Sequence, residues 1–293
     1  MIISQIIGGL GNQMFQYAAG RALSIRHGVP LHLDITGFKG YNLHQGFELN
    51  KVFSCHVLLI DKEGIREYLG WQSSCLARKL LFRPGLKKFI NSRFVFEPYF
   101  HYWKGFKELS STSYLMGYWQ SEIYFNEIAD IIRQDFIFKE PISGCNLSLA
   151  EKINVNNSVS LHVRRGDYVE NPKTNEWHGT CSIEYYNAAI SYICDRFESL
   201  HFFIFSDDIE WVRANLKIPS PNTYVDHNKG QESYNDMRLM SLCKHNIIAN
   251  STFSWWGAWL NSNHDKIVIA PNRWFNSAQH DTRDLYCPGW VVL

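Results

Sequence analysis

Charge is scarce in this chain: only 19% of its 293 residues are Asp, Glu, Lys or Arg, against a usual share of about a quarter. The 29 basic and 28 acidic side chains leave a net charge of +1, so the basic excess of a dedicated nucleic-acid binder is missing. No run approaches the ~20 consecutive apolar residues that a membrane-spanning helix needs. Seven cysteines, at positions 55, 75, 145, 181, 194, 243 and 287, form no CxxC pair, which argues against a zinc ribbon or a disulfide framework. The first seven residues carry no basic side chain and run into Gly8, too early for a secretory signal. The expectation is a soluble protein of a reducing cytoplasm.

Apolar and aromatic residues are plentiful. At 45% hydrophobic the chain can bury substantial cores, and 293 residues suggest roughly two domains at ~100–200 residues each. Aromatics reach 15%, with 10 tryptophans. Sugar rings stack on such side chains, but cores use them too.

The second half alternates cleanly between two periodicities. Strands are expected at 158–163, 201–206, 223–226, 246–249 and 266–270. Helices are expected near 182–197, 208–216, 233–243 and from 251 through 261. Strands joined by helical crossovers imply a parallel, doubly wound sheet. The first half opens the same way, with a strand at 2–7, a glycine-rich turn, a helix to about His27 and a strand at 31–34. Two Rossmann-like halves follow, 1–143 and 144–293, with 141–144 as the hinge. The stretch 51–139 gives no regular pattern. Within it a basic cluster, Arg78, Lys79, Arg83, Lys87, Lys88 and Arg93, is interleaved with Leu80, Leu81, Phe82 and Phe89. It reads either as a solvated helix face or as a surface for anionic lipid headgroups at the inner membrane.

Three loops could carry chemistry. His162-Val163-Arg164-Arg165-Gly166-Asp167 places two guanidinium groups where a buried strand ends, the position at which open α/β sheets bind ligands. Arg presents a planar fork that suits phosphate oxygens, although an Arg–Asp pair bracing a turn has the same look. Ser251-Thr252-Phe253-Ser254 starts a helix from the same sheet, and hydroxyls with free amides there form an anion site or simply a cap. Gly8-Gly9-Leu10-Gly11-Asn12 sits at a strand-to-helix turn but lacks the third glycine of the dinucleotide fingerprint, so a nicotinamide cofactor is a poor match. Phe205-Ser206-Asp207-Asp208 approximates a D-x-D metal clamp with the wrong spacing, and helix capping accounts for it better. His162 in a strand and Asp236 early in a helix are ordinary when taken singly.

Together, Gly8-Gly-Leu-Gly-Asn-Gln-Met-Phe-Gln-Tyr17, His162-Val-Arg-Arg-Gly-Asp-Tyr168, Phe205-Ser-Asp-Asp208 and Asn250-Ser-Thr-Phe-Ser-Trp-Trp256 closely resemble the α-1,2-fucosyltransferases, glycosyltransferase family 11. The resemblance runs from residue 1 to about 275. It implies a GT-B-like α/β fold, two Rossmann-like domains facing a cleft, with the acceptor mainly on 1–143 and the donor on 144–293. It implies transfer of L-fucose from GDP-β-L-fucose to the 2-hydroxyl of a terminal β-galactose, with inversion and no obligatory metal or other cofactor. Arg164 would meet the charge growing on the leaving diphosphate. Ser251, Thr252, Phe253 and Ser254 would hold the pyrophosphate or fucose, His162 and Asp236 the guanosine, and Gly9, Gly11 and Asn12 the phosphates or fucose. Asp167 is the first candidate base, with Glu176 and His178 in reserve. Alternatives are an O-fucosyltransferase acting on protein Ser or Thr, separable by an acceptor screen, and a nucleotide-sugar binder without turnover. The partners expected are thus GDP-fucose and a galactose-terminated oligosaccharide or glycolipid.

Overall fold

The structure, a computed structural model, describes residues 1–39, 45–74, 76–77, 92–166, 179–276 and 280–293. The chain divides into two compact units, Met1–Lys139 with Arg283–Leu285, and Glu140–Thr282 with Tyr286–Leu293. Each is built on its own parallel sheet.

In the first unit, β1 (Ile2–Gln5), α1 (Leu10–His27) and β2 (Leu31–Asp34) form the expected opening. They are followed by α2 (Leu49–Val52), α3 (Lys62–Leu69), β3 (Phe94–Phe96), β4 (Tyr114–Met116) and α4 (Ala129–Asp135). The strand order is β2-β1-β4-β3, and every pairing is parallel. Helix α1 lies close on this sheet because Gly20 has no side chain: a Cβ there would sit 2.8 Å from Leu31 Cδ1 and 3.1 Å from Ser4 Cβ. It stops at Gly28, whose left-handed φ of 63° lets its N–H reach back to Ile25 and Ser24 carbonyls. Strand β1 ends at Gln5, short of the expected residue 7, since the Ile7 N–H turns to the Gln16 side chain at 2.9 Å.

The second unit contains α5 (Gly144–Val155), β5 (Asn157–Val163), α6 (Ile183–Cys194), β6 (Leu200–Ser206), α7 (Ile209–Asn215) and β7 (Asn222–Val225). It continues with α8 (Tyr234–Leu242), β8 (His245–Ile247), α9 (Thr252–Leu260), β9 (Val268–Ala270) and β10 (Val291–Val292). The order β10-β9-β8-β5-β6-β7, again wholly parallel, runs out in one direction from β5 and then in the other from β8. Phe202 and Ile204 of β6 join the core beneath α6, while Phe203 and Phe205 join the opposite one with Leu239 and Met240 of α8. A sheet buried on both faces explains why its strands read as continuous apolar runs.

The α/β, GT-B-like fold class is therefore correct, and five of the six strands here fall where the periodicity puts them. The strands β3, β4 and β10 were not expected. Residues 78–91, most of the basic cluster, lie outside the described residues. Arg93, its described member, covers the Tyr68 ring at 5.3 Å and donates to the Tyr68 carbonyl. No described helix is long and apolar enough to cross a membrane.

Candidate functional site

The topology of the second unit locates its crevice. The chain leaves β5 toward β6 on one side and returns through β8 on the other, so β5 and β8 flank the switch point where open sheets take ligands. The loops at their carboxyl ends are 164–166 and 248–251. His162 and Phe253 connect them, with ring centroids 6.0 Å apart.

His162 is 6% exposed, and its Nδ1 has no partner among the described residues. Burial, reinforced by the Arg164 charge and opposed by Asp207, pushes the imidazole down to about 4. The ring is neutral at physiological pH, and an orphaned buried nitrogen at a crevice is a place where a ligand atom can bond.

Arg164 and Arg165 have different surroundings. Arg164 Nη1 meets Asp207 Oδ2 at 3.0 Å, with both side chains partly open to solvent. Arg165 lies over the Trp211 ring at 3.9 Å and reaches Asp208 at 3.3 Å. Its backbone N–H donates to Asp207 Oδ1 at 2.8 Å. Asp207 thus grips both arginines from the end of β6, and a Cβ on Gly166 would come within 2.8 Å of its Oδ2. Asp208 caps α7 by accepting from Trp211 N at 3.1 Å. Asp207 takes no part in that cap, so the expectation that capping accounts for both acids fails for Asp207. A second carboxylate beside a completed cap, opposite two arginines, was the signal for it.

The loop after β8 is held by Asn250, which is buried. Its Nδ2 donates to the Gly179 and Trp274 carbonyls at 3.1 and 3.2 Å, and its Oδ1 accepts from Cys181 Sγ at 3.4 Å. Ser251 then caps α9, its Oγ accepting from Phe253 N at 3.3 Å, while its carbonyl takes Trp255 N and Ser254 Oγ. Trp255, Trp256 and Trp259 bury the helix and pack in pairs at 5.0 to 6.5 Å, Trp256 edge-on to the other two and Trp255 stacked on Trp259. The start of α9 therefore offers hydroxyls and amides on a rigid support.

Asp236 stands in the first turn of α8, which packs on α9 where Gly257 leaves 3.0 Å between a notional Cβ and Met240 Cβ. Burial pushes its carboxyl up to about 7, although Asn228 Nδ2 donates to Oδ1 at 2.7 Å. Asn228 is itself fixed to Asn146 by two reciprocal amide hydrogen bonds, Asn146 Nδ2 donating to Asn228 Oδ1 at 2.9 Å and Asn228 Nδ2 to Asn146 Oδ1 at 3.0 Å.

In the first unit, Gly8 has φ +80°, and the space of its missing Cβ is filled by Asn12 Nδ2 at 2.8 Å. The Gly9 carbonyl accepts Asn12 N and Gln13 N to start α1 without a side-chain cap. Gln13, fully buried, ties the turn down: Nε2 donates to the Gly8 and Gly46 carbonyls at 2.9 and 2.7 Å, and Oε1 accepts Glu48 N. Gly11 is buried in the first turn beside Asn12. Gln13 and Asn250 stand in the motifs that carry the resemblance but were not singled out as functional residues, because an amide clamp has no periodicity to betray it. Asp167, Glu176 and His178 lie outside the described residues.

Comparison with known proteins shows the family and the fold. The model of Glycosyl transferase family 11 matches residues 76–293. An α-1,2-colitosyltransferase of Escherichia coli is 38% identical, covering 100% of this chain and 99% of its own. The O-antigen biosynthesis glycosyltransferase WbnK of Escherichia coli is 36% identical, with 99% of each chain covered. Among solved structures, the NodZ α-1,6-fucosyltransferase soaked with GDP-fucose aligns with a TM-score of 0.55 over 88% of this chain and 91% of that one, at 15% identity. NodZ has been solved from Bradyrhizobium. That likeness is one of fold.

Proposed function

The chain belongs to glycosyl transferase family 11, the α-1,2-fucosyltransferase family, and from that premise we propose that it transfers L-fucose from GDP-β-L-fucose to the 2-hydroxyl of a terminal β-galactose. It is a glycosyltransferase, and a nucleotide-sugar donor with a glycan acceptor is its substrate class. The observation that carries the finer reading is Arg164: a guanidinium oriented by Asp207 at the switch point beside the start of α9.

In the reaction the bond from the fucosyl anomeric carbon to the β-phosphate oxygen breaks, and its electron pair leaves with GDP. The galactose 2-hydroxyl attacks the opposite face, inverts the centre and loses its proton. Arg164 stabilises the charge that grows on the leaving phosphate, a fixed donor aimed at charge developing only in the transition state. Ser251, Thr252, Phe253 and Ser254 contact the pyrophosphate or fucose. His162 and Asp236 bind guanosine, the carboxylate accepting the guanine N1–H and N2–H. Gly9, Gly11 and Asn12 belong to the donor contacts of the first unit, and Asp167 is the proposed base. With Arg164 in this role no divalent ion is obligatory.

A second donor is favoured by one observation, the 38% identity to a colitosyltransferase over the whole chain. Colitose lacks the 3-hydroxyl of fucose. A site that hydrogen-bonds that hydroxyl would discriminate by ~10⁴-fold, and one that does not would accept both sugars. The test is to incubate the enzyme with lactose and either GDP-fucose or GDP-colitose, with and without EDTA. Fucosylated lactose linked α-1,2 and formed equally under chelation is the expected product. Transfer of colitose alone would move the assignment to the second donor, and loss of transfer in EDTA would refute the metal-free mechanism.

A further inference from the structure

The sheet of the first unit has a switch point of its own. In the order β2-β1-β4-β3, the strands beside it are β1 and β4, whose exits are the 8–12 turn and the 117–121 loop. A hydrogen bond joins these exits: Gln120 Nε2 donates to Asn12 Oδ1 at 2.9 Å. Gln120 is 6% exposed, and its Oε1 has no partner among the described residues. A buried amide that leaves one end unsatisfied is held there by its other bond or by its backbone.

The backbone beneath it is unusual. Trp119 has φ 56°, a left-handed conformation that a bulky residue adopts only where its surroundings hold it. Glu97, at the exit of β3, holds it there. Its Oε2 accepts Tyr118 N at 2.7 Å and its Oε1 accepts Trp119 N at 3.0 Å. Gly117 makes room, since a Cβ would stand 2.4 Å from Glu97 Cβ. The Trp119 ring is wholly buried against Phe106 and Tyr124. Burial pushes the Glu97 carboxyl up to about 7 despite both N–H bonds, so its place is retained against a desolvation cost.

We propose that Glu97 and Gln120 are positioning residues for Asn12. Glu97 sets the left-handed turn at Trp119, the turn presents Gln120, and Gln120 donates to Asn12 Oδ1. That bond assigns Asn12 Nδ2, the atom lying over Gly8, as the donor available to a ligand oxygen. The inference rests on reading the 8–12 turn as part of the GDP-sugar site.

The test is calorimetric titration of the full chain with GDP and with GDP-fucose, without acceptor, alongside thermal melts. Asn12→Ala should weaken GDP-fucose by about tenfold, the worth of one hydrogen bond to a charged group. Gln120→Ala, Gln120→Met and Glu97→Gln should each weaken it by about threefold to tenfold. The Met variant keeps the volume, so a folded control exists if the others melt early. The decisive comparison is Asn12→Ala/Gln120→Met, which should bind no worse than Asn12→Ala alone, because both changes break one relay. Additive losses, or Gln120→Met indistinguishable from wild type, overturn the proposal. Wild-type protein that binds neither GDP nor GDP-fucose refutes the reading of the site itself, a result separate from any behaviour of the variants.

Discussion

Replacing Asp207 with Asn separates a guanidinium-orienting role from a merely bracing one. The pair with Arg164 is 3.0 Å long, with side chains 29% and 25% exposed, so solvent screens it and its direct worth to folding is about 0.2–1 kcal/mol. Asn keeps an oxygen for the Arg165 N–H, so the backbone bond survives. For a unit of this size such a loss lowers Tm by at most about 2–4 °C. Activity should respond on another scale. A fixed donor whose aim is lost costs roughly 10²-fold in rate, about 2.7 kcal/mol of transition-state stabilisation. Steady-state transfer from GDP-fucose to lactose, paired with calorimetry, should show kcat/KM down by about a hundredfold and a nearly native melt. Asp208→Ala should behave oppositely. It removes the α7 cap and the Arg165 partner, costing about 1–2 kcal/mol of stability, with a much smaller effect on transfer. If Asp207→Asn retains a third or more of wild-type activity, the ion pair braces a turn and nothing else.

Other expectations follow from single groups. Burial holds His162 near 4, below its ordinary value of 6.5, so the unfolded chain takes up its proton first as pH falls. Stability from this residue is therefore lost between about 6.5 and 4, by up to roughly 3 kcal/mol. The raised carboxyls of Glu48, Glu97 and Asp236 act in the opposite sense, so the quantity to measure is wild type minus His162→Gln in denaturant melts across that range. Asn250→Ala leaves the Gly179 and Trp274 carbonyls without their donor and should cost about 2–4 kcal/mol, measured by urea unfolding. Asp236, held up to about 7 without ligand, must ionise to accept from guanine; GDP affinity should fall about tenfold between pH 8 and pH 6, and Asp236→Asn should flatten that dependence while weakening binding.

How far the chain could be read without coordinates depended on length and repetition. The strands β5, β6, β7 and β8 were legible because a helix of at least seven residues follows each before the next strand, and the alternation repeats. The strands β3 and β4 lie in a stretch rich in Phe, Tyr and Trp with only a short 3-10 helix, Lys104–Glu108, between them, so no strand–helix alternation marks them. The two residues of β10 are fixed by pairing with Ile269 and Ala270, a long-range contact that leaves no local mark. In the site, Arg164 and Ser251 stood out by type and position. Asp207 was hidden by its neighbour's cap, and Gln13, Gln120 and Asn250 work through buried amide bonds to residues up to 108 positions distant. Left-handed Trp119 could not be foreseen, since no glycine or asparagine stands there to announce it.

A crystal structure with GDP bound is the most direct trial of the central claim. It should place a β-phosphate oxygen within hydrogen-bond reach of the Arg164 guanidinium, with the start of α9 on the diphosphate's other side. Diphosphate density away from Arg164, with the Asp207 pair untouched, would contradict the account.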